Sequence, residues 1–130
     1  MKRNPIVVFV CEHGAAKSVL AAAYFNQQAR EKHLGLSAIA RGLHPDLEIS
    51  SKTIAGLLED GLTPAESLPV ILTAGEMKSA WRVVSFCELS EELRQIANVE
   101  YWNRIPPVSE DYEQARDAIV ERLKELLNHI

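Results

Sequence analysis

The sequence predicts an α/β domain built on a parallel sheet, and three observations lead there. Short runs of β-branched residues alternate with longer stretches of helical periodicity. The first run, Ile6-Val7-Val8-Phe9-Val10, is apolar without interruption, as a strand covered on both faces must be. The chain has 130 residues, which suits one core over residues 1–130 and is enough to fold without staples.

The elements follow in order. After the first strand, Cys11 to Lys17 is a short loop holding Gly14, and Ser18 to about His33 reads as a helix rich in alanine (Ala21, Ala22, Ala23) that Gly35 ends. Ser37 to Arg41 is the second strand, followed by the turn residues Gly42, Pro45 and Asp46. Ser50 or Ser51 caps a second helix with Ile54, Leu57 and Leu58 inward, and Gly61 stops it. Pro64 and Pro69 interrupt the next stretch, which leaves a short helix near Thr73 to Ser79. Arg82 to Phe86 is the third strand, ending at Cys87; Ser90 to Ala97 is a short helix and Val99 to Trp102 the fourth strand. Pro106-Pro107 forces a turn. Ser109 then caps an amphipathic helix with Tyr112, Ala115, Ile119, Leu123, Leu126 and Leu127 inward. Strands alternating with helices imply right-handed crossovers.

Composition excludes several function classes. The net charge of -4 gives no basic footprint for nucleic acid. No apolar run approaches a membrane span, and the segment from Met1 to Val10 is too short for a secretory leader. The reading is therefore a cytoplasmic protein whose two cysteines stay reduced, as buried small hydrophobes or as working thiols. His33, His44 and His129 are scattered without metal-ligand spacing, so no metal or other cofactor is expected. Trp81 and Trp102 read as packing residues at strand ends, and Arg41 as a surface residue or part of a pocket wall.

Cys11 sits where a strand hands over to a helix. Loop amides and the positive end of the helix dipole converge there, and such a nest binds tetrahedral oxyanions. The same field favours a thiolate over a thiol. Ser18 can donate a hydrogen bond to that thiolate, and Lys17 adds positive charge. The amides of Glu12, His13, Gly14, Ala15 and Ala16 complete the cradle; the Glu12 carboxylate would repel an anion and should point away. His13 reads either as a ring near the anion or as a solvated loop residue.

The stretch Val7-Val8-Phe9-Val10-Cys11-Glu12-His13-Gly14-Ala15-Ala16-Lys17-Ser18 resembles the signature of the low-molecular-weight protein tyrosine phosphatases and thioredoxin-type arsenate reductases. That signature is a cysteine, five residues, an arginine and a serine, directly after the first strand. Ala21 to Asn26 resembles the first helix of the group, Arg41-Gly42 the end of its second strand, and Glu100-Tyr101-Trp102 the strand before its acid loop. Val83-Val84-Ser85-Phe86-Cys87 is similar to the reductases' third strand, which leads to a second redox cysteine. The resemblance implies a flavodoxin-like three-layer sandwich with a four-stranded parallel sheet, order 2-1-3-4. It implies Cys11 as nucleophile toward a phosphate- or arsenate-like oxyanion, with Lys17 and Ser18 assisting. In the phosphatase form a phosphocysteine is hydrolysed. In the reductase form Cys87 attacks Cys11, leaving a disulfide for a thioredoxin-type reductant, although the third cysteine of some members is absent.

The chain departs from that pattern in three places. Lys17 replaces arginine, which keeps the charge and loses the two-pronged grip. Gly14 replaces a bracing asparagine. Pro106 occupies the place of the aspartate general acid. Asp111 is then either a displaced acid or, with Glu110, a carboxylate of the last helix's first turn. The sequence therefore admits a second class of function, an oxyanion-binding or regulatory module with impaired turnover, and a third, a redox-sensing thiol protein.

Overall fold

The computed structural model of the protein describes residues 5–129. Met1 to Asn4, part of the segment read as too short for a leader, and Ile130 lie outside the described residues. Strand β1 (Ile6–Cys11) pairs in parallel with β2 (Ser37–Gly42) on one side and with β3 (Arg82–Ser85) on the other. β3 in turn pairs with β4 (Val99–Tyr101), so the order is 2-1-3-4 and every strand is parallel. This is the flavodoxin-like arrangement expected. Helices α1 (Lys17–Glu31), α2 (Ser51–Glu59), α3 (Ala74–Ser79), α4 (Glu91–Arg94) and α5 (Tyr112–Leu127) complete the described elements.

The alternation of β1 explains the layers. Val7 and Phe9 are buried in a core with α1, α5, Leu57 and Trp102. Val8 and Val10 point the other way, against Met77, Val83 and Leu89. A central strand with both faces covered has no polar position to spare, hence its unbroken apolar run. Phe9 anchors an aromatic cluster, with ring centres 6.1 Å from Phe25, 6.4 Å from Phe86 and 5.7 Å from Trp102. Trp102 is fully buried, while Trp81 is partly buried with the Arg82 guanidinium 4.8 Å from its ring centre.

Several local expectations need correction. Gly35 does not end α1: His33 takes the left-handed conformation (φ 52°), and the Leu34 amide reaches back to the Ala29 carbonyl. β3 stops at Ser85 because its hydroxyl donates to the Cys87 carbonyl at 2.7 Å and accepts from the Cys87 amide at 3.2 Å, folding the chain into a turn. α4 ends at Arg94 instead of Ala97. On α2 only Leu57 of the three expected residues is buried; Ile54 and Leu58 are 42% and 68% exposed. The inward positions are Thr53, Gly56 and Leu57, because the Tyr112 ring of α5 lies directly over Gly56 and leaves no room for a side chain there. Finally, α5 is capped by Asp111, whose carboxylate accepts from the Gln114 amide at 3.1 Å. Ser109 falls in the preceding turn, closed by the Glu110 and Asp111 amides on the Pro107 carbonyl. The inward set from Tyr112 to Leu127 is buried as its spacing predicts.

Two polar clusters tie the layers together. Asp60, after α2, accepts from the Tyr24 hydroxyl at 2.6 Å, from the Tyr112 hydroxyl at 3.0 Å and from the Arg116 guanidinium at 3.3 Å. Arg41 is neither a surface residue nor a wall of the cleft described below. Its guanidinium donates to Glu76 at 2.8 Å and to Glu66 at 3.0 Å, fixing the end of β2 to α3 and to the preceding loop.

Candidate active site

The loop from Glu12 to Ala16 links β1 to α1 at the carboxyl end of the sheet. Its backbone is held from one side. The carbonyls of Cys11, Glu12, His13 and Ala15 accept from the amides of Leu43, His44, Asp46 and Ser50, at 2.8–3.3 Å. The amides of Glu12 to Ala16 have no backbone acceptor among the described residues. Gly14 makes the turn with a left-handed φ of 61° and packs backbone to backbone on Gly42: a Cβ on Gly14 would lie 2.9 Å from the Gly42 nitrogen. A glycine-on-glycine contact thus holds the loop at this position.

Of the five described helices, α1 alone lacks a side-chain cap: Ala16 stands where Ser50, Thr73, Ser90 and Asp111 cap the others. Its first-turn amides therefore remain available to an anion. Cys11, 8% exposed, lies at the end of β1 with its Sγ 2.9 Å from the Oγ of fully buried Ser18. Above it opens a cleft of about 330 Å³. Lys17, Glu12, His13, Ala15 and Ala16 line it on the loop side, and Phe86, Pro107 and Val108 form an apolar wall opposite. None of the ion pairs among the described residues involves Lys17.

Most of the residues expected at the site therefore lie together: Cys11, Lys17, Ser18 and the loop from Glu12 to Ala16. Gly14 packs against Gly42 and does not line the cleft. Cys87 lies in the same cleft, half-buried and unbridged. Burial pushes its thiol up; the Ser85 hydroxyl, in contact with its sulfur, partly offsets this, and Cys11, Glu12 and Glu88 add to it. Asp111 is not in the cleft. As the cap of α5 it lines a separate groove with Lys52, Glu59 and Arg116. The Glu12 carboxylate sits at the rim, 4.0 Å from His44 Nε2.

One cleft residue of chemical interest, Asp46, stands in the sequence only as a turn former. Its Oδ1 lies 3.5 Å from His13 Nδ1, and its amide donates to the His13 carbonyl. The two are 33 positions apart, so no local spacing signals the pair. Among the described residues no cluster of side chains has the makings of a metal site, and no helix is long and apolar enough to cross a membrane.

No family model matches the chain, and no curated protein matches it in sequence. Its fold, in contrast, has many counterparts among solved structures. YfkJ from Bacillus subtilis superposes with a TM-score of 0.83 at 17% identity, over 99% of this chain and 96% of that one. A low-molecular-weight protein tyrosine phosphatase from T. tengcongensis gives 0.80 at 15% identity, over 97% and 99%. An arsenate reductase from Archaeoglobus fulgidus gives 0.74 at 25% identity, over 94% and 98%. The chain has the fold common to the low-molecular-weight protein tyrosine phosphatases and the arsenate reductases.

Proposed function

We propose that the chain is a cysteine-dependent phosphatase acting on aryl phosphomonoesters, in a cytoplasmic setting that keeps both thiols reduced. The observation that carries this reading is the position of Cys11 Sγ. It lies 2.9 Å from a buried hydroxyl, at the floor of a cleft ringed by Lys17 and by loop residues whose amides have no backbone acceptor among the described residues. Such a ring stabilises the charge on the equatorial oxygens of a phosphoryl group in flight. The Cys11 thiolate attacks phosphorus, the leaving oxygen departs toward the open side, and water then cleaves the phosphocysteine. Phe86, Pro107 and Val108 offer an aryl ring an apolar wall.

A small aryl phosphate tests the reading. Wild type should turn it over, and Cys11→Ser should abolish turnover. Lys17→Arg should retain it, since the fork restores two-pronged contact at the same place. Tight inorganic phosphate binding without turnover in any variant would replace the reading with that of an oxyanion-binding module.

Cys87 favours a second reading, because it lines the same cleft. Here Cys11 bonds to arsenic, Cys87 attacks Cys11 Sγ, and the electron pair of the sulfur–arsenic bond reduces arsenate to arsenite. The resulting disulfide requires a thioredoxin-type reductant. Arsenate-dependent consumption of reduced thioredoxin, lost in Cys87→Ser, would establish this version. The upward push on the Cys87 thiol weighs against it at neutral pH.

A further inference from the structure

The proposed phosphatase leaves one role unfilled. An aryl oxide or alkoxide leaving group needs a proton, and among the described residues no carboxyl group stands on the wall opposite the loop: Pro107 and Val108 line the cleft there, while Asp111 caps α5 and faces another groove. The titratable groups on the cleft are Cys11, Glu12, His13, Lys17, Asp46 and Cys87. Cys11 is the nucleophile and Lys17 the counter-charge. Cys87 is a weak acid pushed weaker by burial. The Glu12 carboxylate sits beside His44, and the Asp46 carboxylate beside His13.

His13 has the geometry of an oriented acid. A carbonyl oxygen can only accept, so the contact of Nδ1 with the His44 carbonyl at 3.2 Å places a proton on Nδ1. Asp46 Oδ1, 3.5 Å from the same nitrogen, adds a carboxylate on that side of the ring. With Nδ1 anchored, Nε2 is the nitrogen that exchanges a proton. The backbone supports the arrangement twice, through the His44 amide on the Glu12 carbonyl and the Asp46 amide on the His13 carbonyl. A carboxylate, an imidazole and a thiol nucleophile thus meet in one cleft.

Resting on the phosphatase reading, we propose that His13 is its general acid and base and that Asp46 positions it. In the first step the Cys11 thiolate forms the sulfur–phosphorus bond as the phosphorus–oxygen bond breaks. The electron pair stays on the leaving oxygen, which takes the proton from His13 Nε2. In the second step neutral Nε2 takes a proton from water as the water oxygen attacks phosphorus. The sulfur–phosphorus bond breaks, its electron pair returns to Cys11, and inorganic phosphate leaves. The carboxylate–imidazole pair replaces a carboxylic acid supplied from the opposite loop.

The test compares two esters, phenyl phosphate, whose leaving group needs a proton, and dinitrophenyl phosphate, whose leaving group does not. In His13→Ala the ratio of kcat/KM for dinitrophenyl phosphate to kcat/KM for phenyl phosphate, which reports the first step alone, should rise about 10²–10⁴-fold, the usual worth of a general acid. Added imidazole should restore phenyl phosphate turnover in that variant. His13→Asn, whose side-chain amide nitrogen takes the place of Nδ1 and can still donate to the His44 carbonyl, guards against a loop that has merely collapsed and should show the same ratio. Asp46→Asn should raise the ratio by a smaller factor. An unchanged ratio in both His13 variants overturns the proposal, and Cys11-dependent turnover of the dinitrophenyl ester would then leave the phosphatase reading standing. Absence of that turnover in wild type overturns both.

Discussion

A single methyl group placed on Gly42, which does not itself line the cleft, should disable the site. A Cβ there would lie 2.6 Å from the Gly14 nitrogen, 2.8 Å from the His13 carbonyl carbon and 2.9 Å from the Gly14 Cα. All three are backbone atoms, so no side chain can swing aside. Gly42 itself cannot retreat: its amide donates to the Val70 carbonyl at 2.9 Å and its carbonyl accepts from the Leu72 amide at 3.0 Å. The loop must therefore give way, from 2.6 Å to beyond the 3.4 Å at which ordinary contact begins. A displacement of about 1 Å at a catalytic loop costs on the order of 10²-fold in rate, or about 2.7 kcal/mol of barrier. Overpacking of this kind costs about 1–3 kcal/mol of stability, and each kcal/mol lowers the melting temperature by roughly 2–8 °C for domains bracketing this size. Gly42→Ala should therefore lose about two orders of magnitude in aryl phosphate turnover and melt several degrees lower. Gly14→Ala should fare worse, since its left-handed φ adds about 1–2 kcal/mol. A Gly42→Ala protein with wild-type turnover and an unchanged melting temperature would refute the reasoning.

Three further outcomes follow from the same contacts. Gly56→Ala, a change that favours an exposed helix by about 1 kcal/mol, should instead destabilise this protein in urea, because the new methyl displaces the Tyr112 ring and its hydroxyl from Asp60. Burial would raise the Asp60 carboxyl, yet hydrogen bonds from Tyr24 and Tyr112 and the Arg116 charge outweigh it and hold the carboxyl below its usual value. Its contribution to stability is thus present above the ordinary carboxylate range and lost as pH falls through and below that range; urea melts from pH 6 to pH 3 should show Asp60→Asn flattening that loss. Because burial and nearby negative groups push the Cys87 thiol up, iodoacetamide should alkylate Cys87 at pH 8 more slowly than it alkylates free cysteine, and the rate should keep climbing above the ordinary thiol range; peptide mapping of Cys11→Ser isolates that signal.

Local pattern carried the element types and half of the site, and the resemblance supplied the strand order. The unbroken run of β1 announced a strand covered on both faces, and the spacing from Tyr112 to Leu127 named the buried face of α5 residue by residue. The step from strand to cysteine, through Gly14 to an alanine-rich helix, placed Cys11, Lys17 and Ser18 together, because those positions are fixed by one short segment of chain. Long-range packing decided the rest. α2 presents Thr53, Gly56 and Leu57 inward instead of Ile54 and Leu58 because a tyrosine from α5 needs the space over Gly56, and a helix's rotation about its own axis is set by its neighbour. Arg41 is a structural cation because Glu66 and Glu76, 25 and 35 positions onward, return to it. His13 and Asp46 become a pair only when the chain after β2 folds back over the loop, and that closure leaves no trace in the periodicity of either segment.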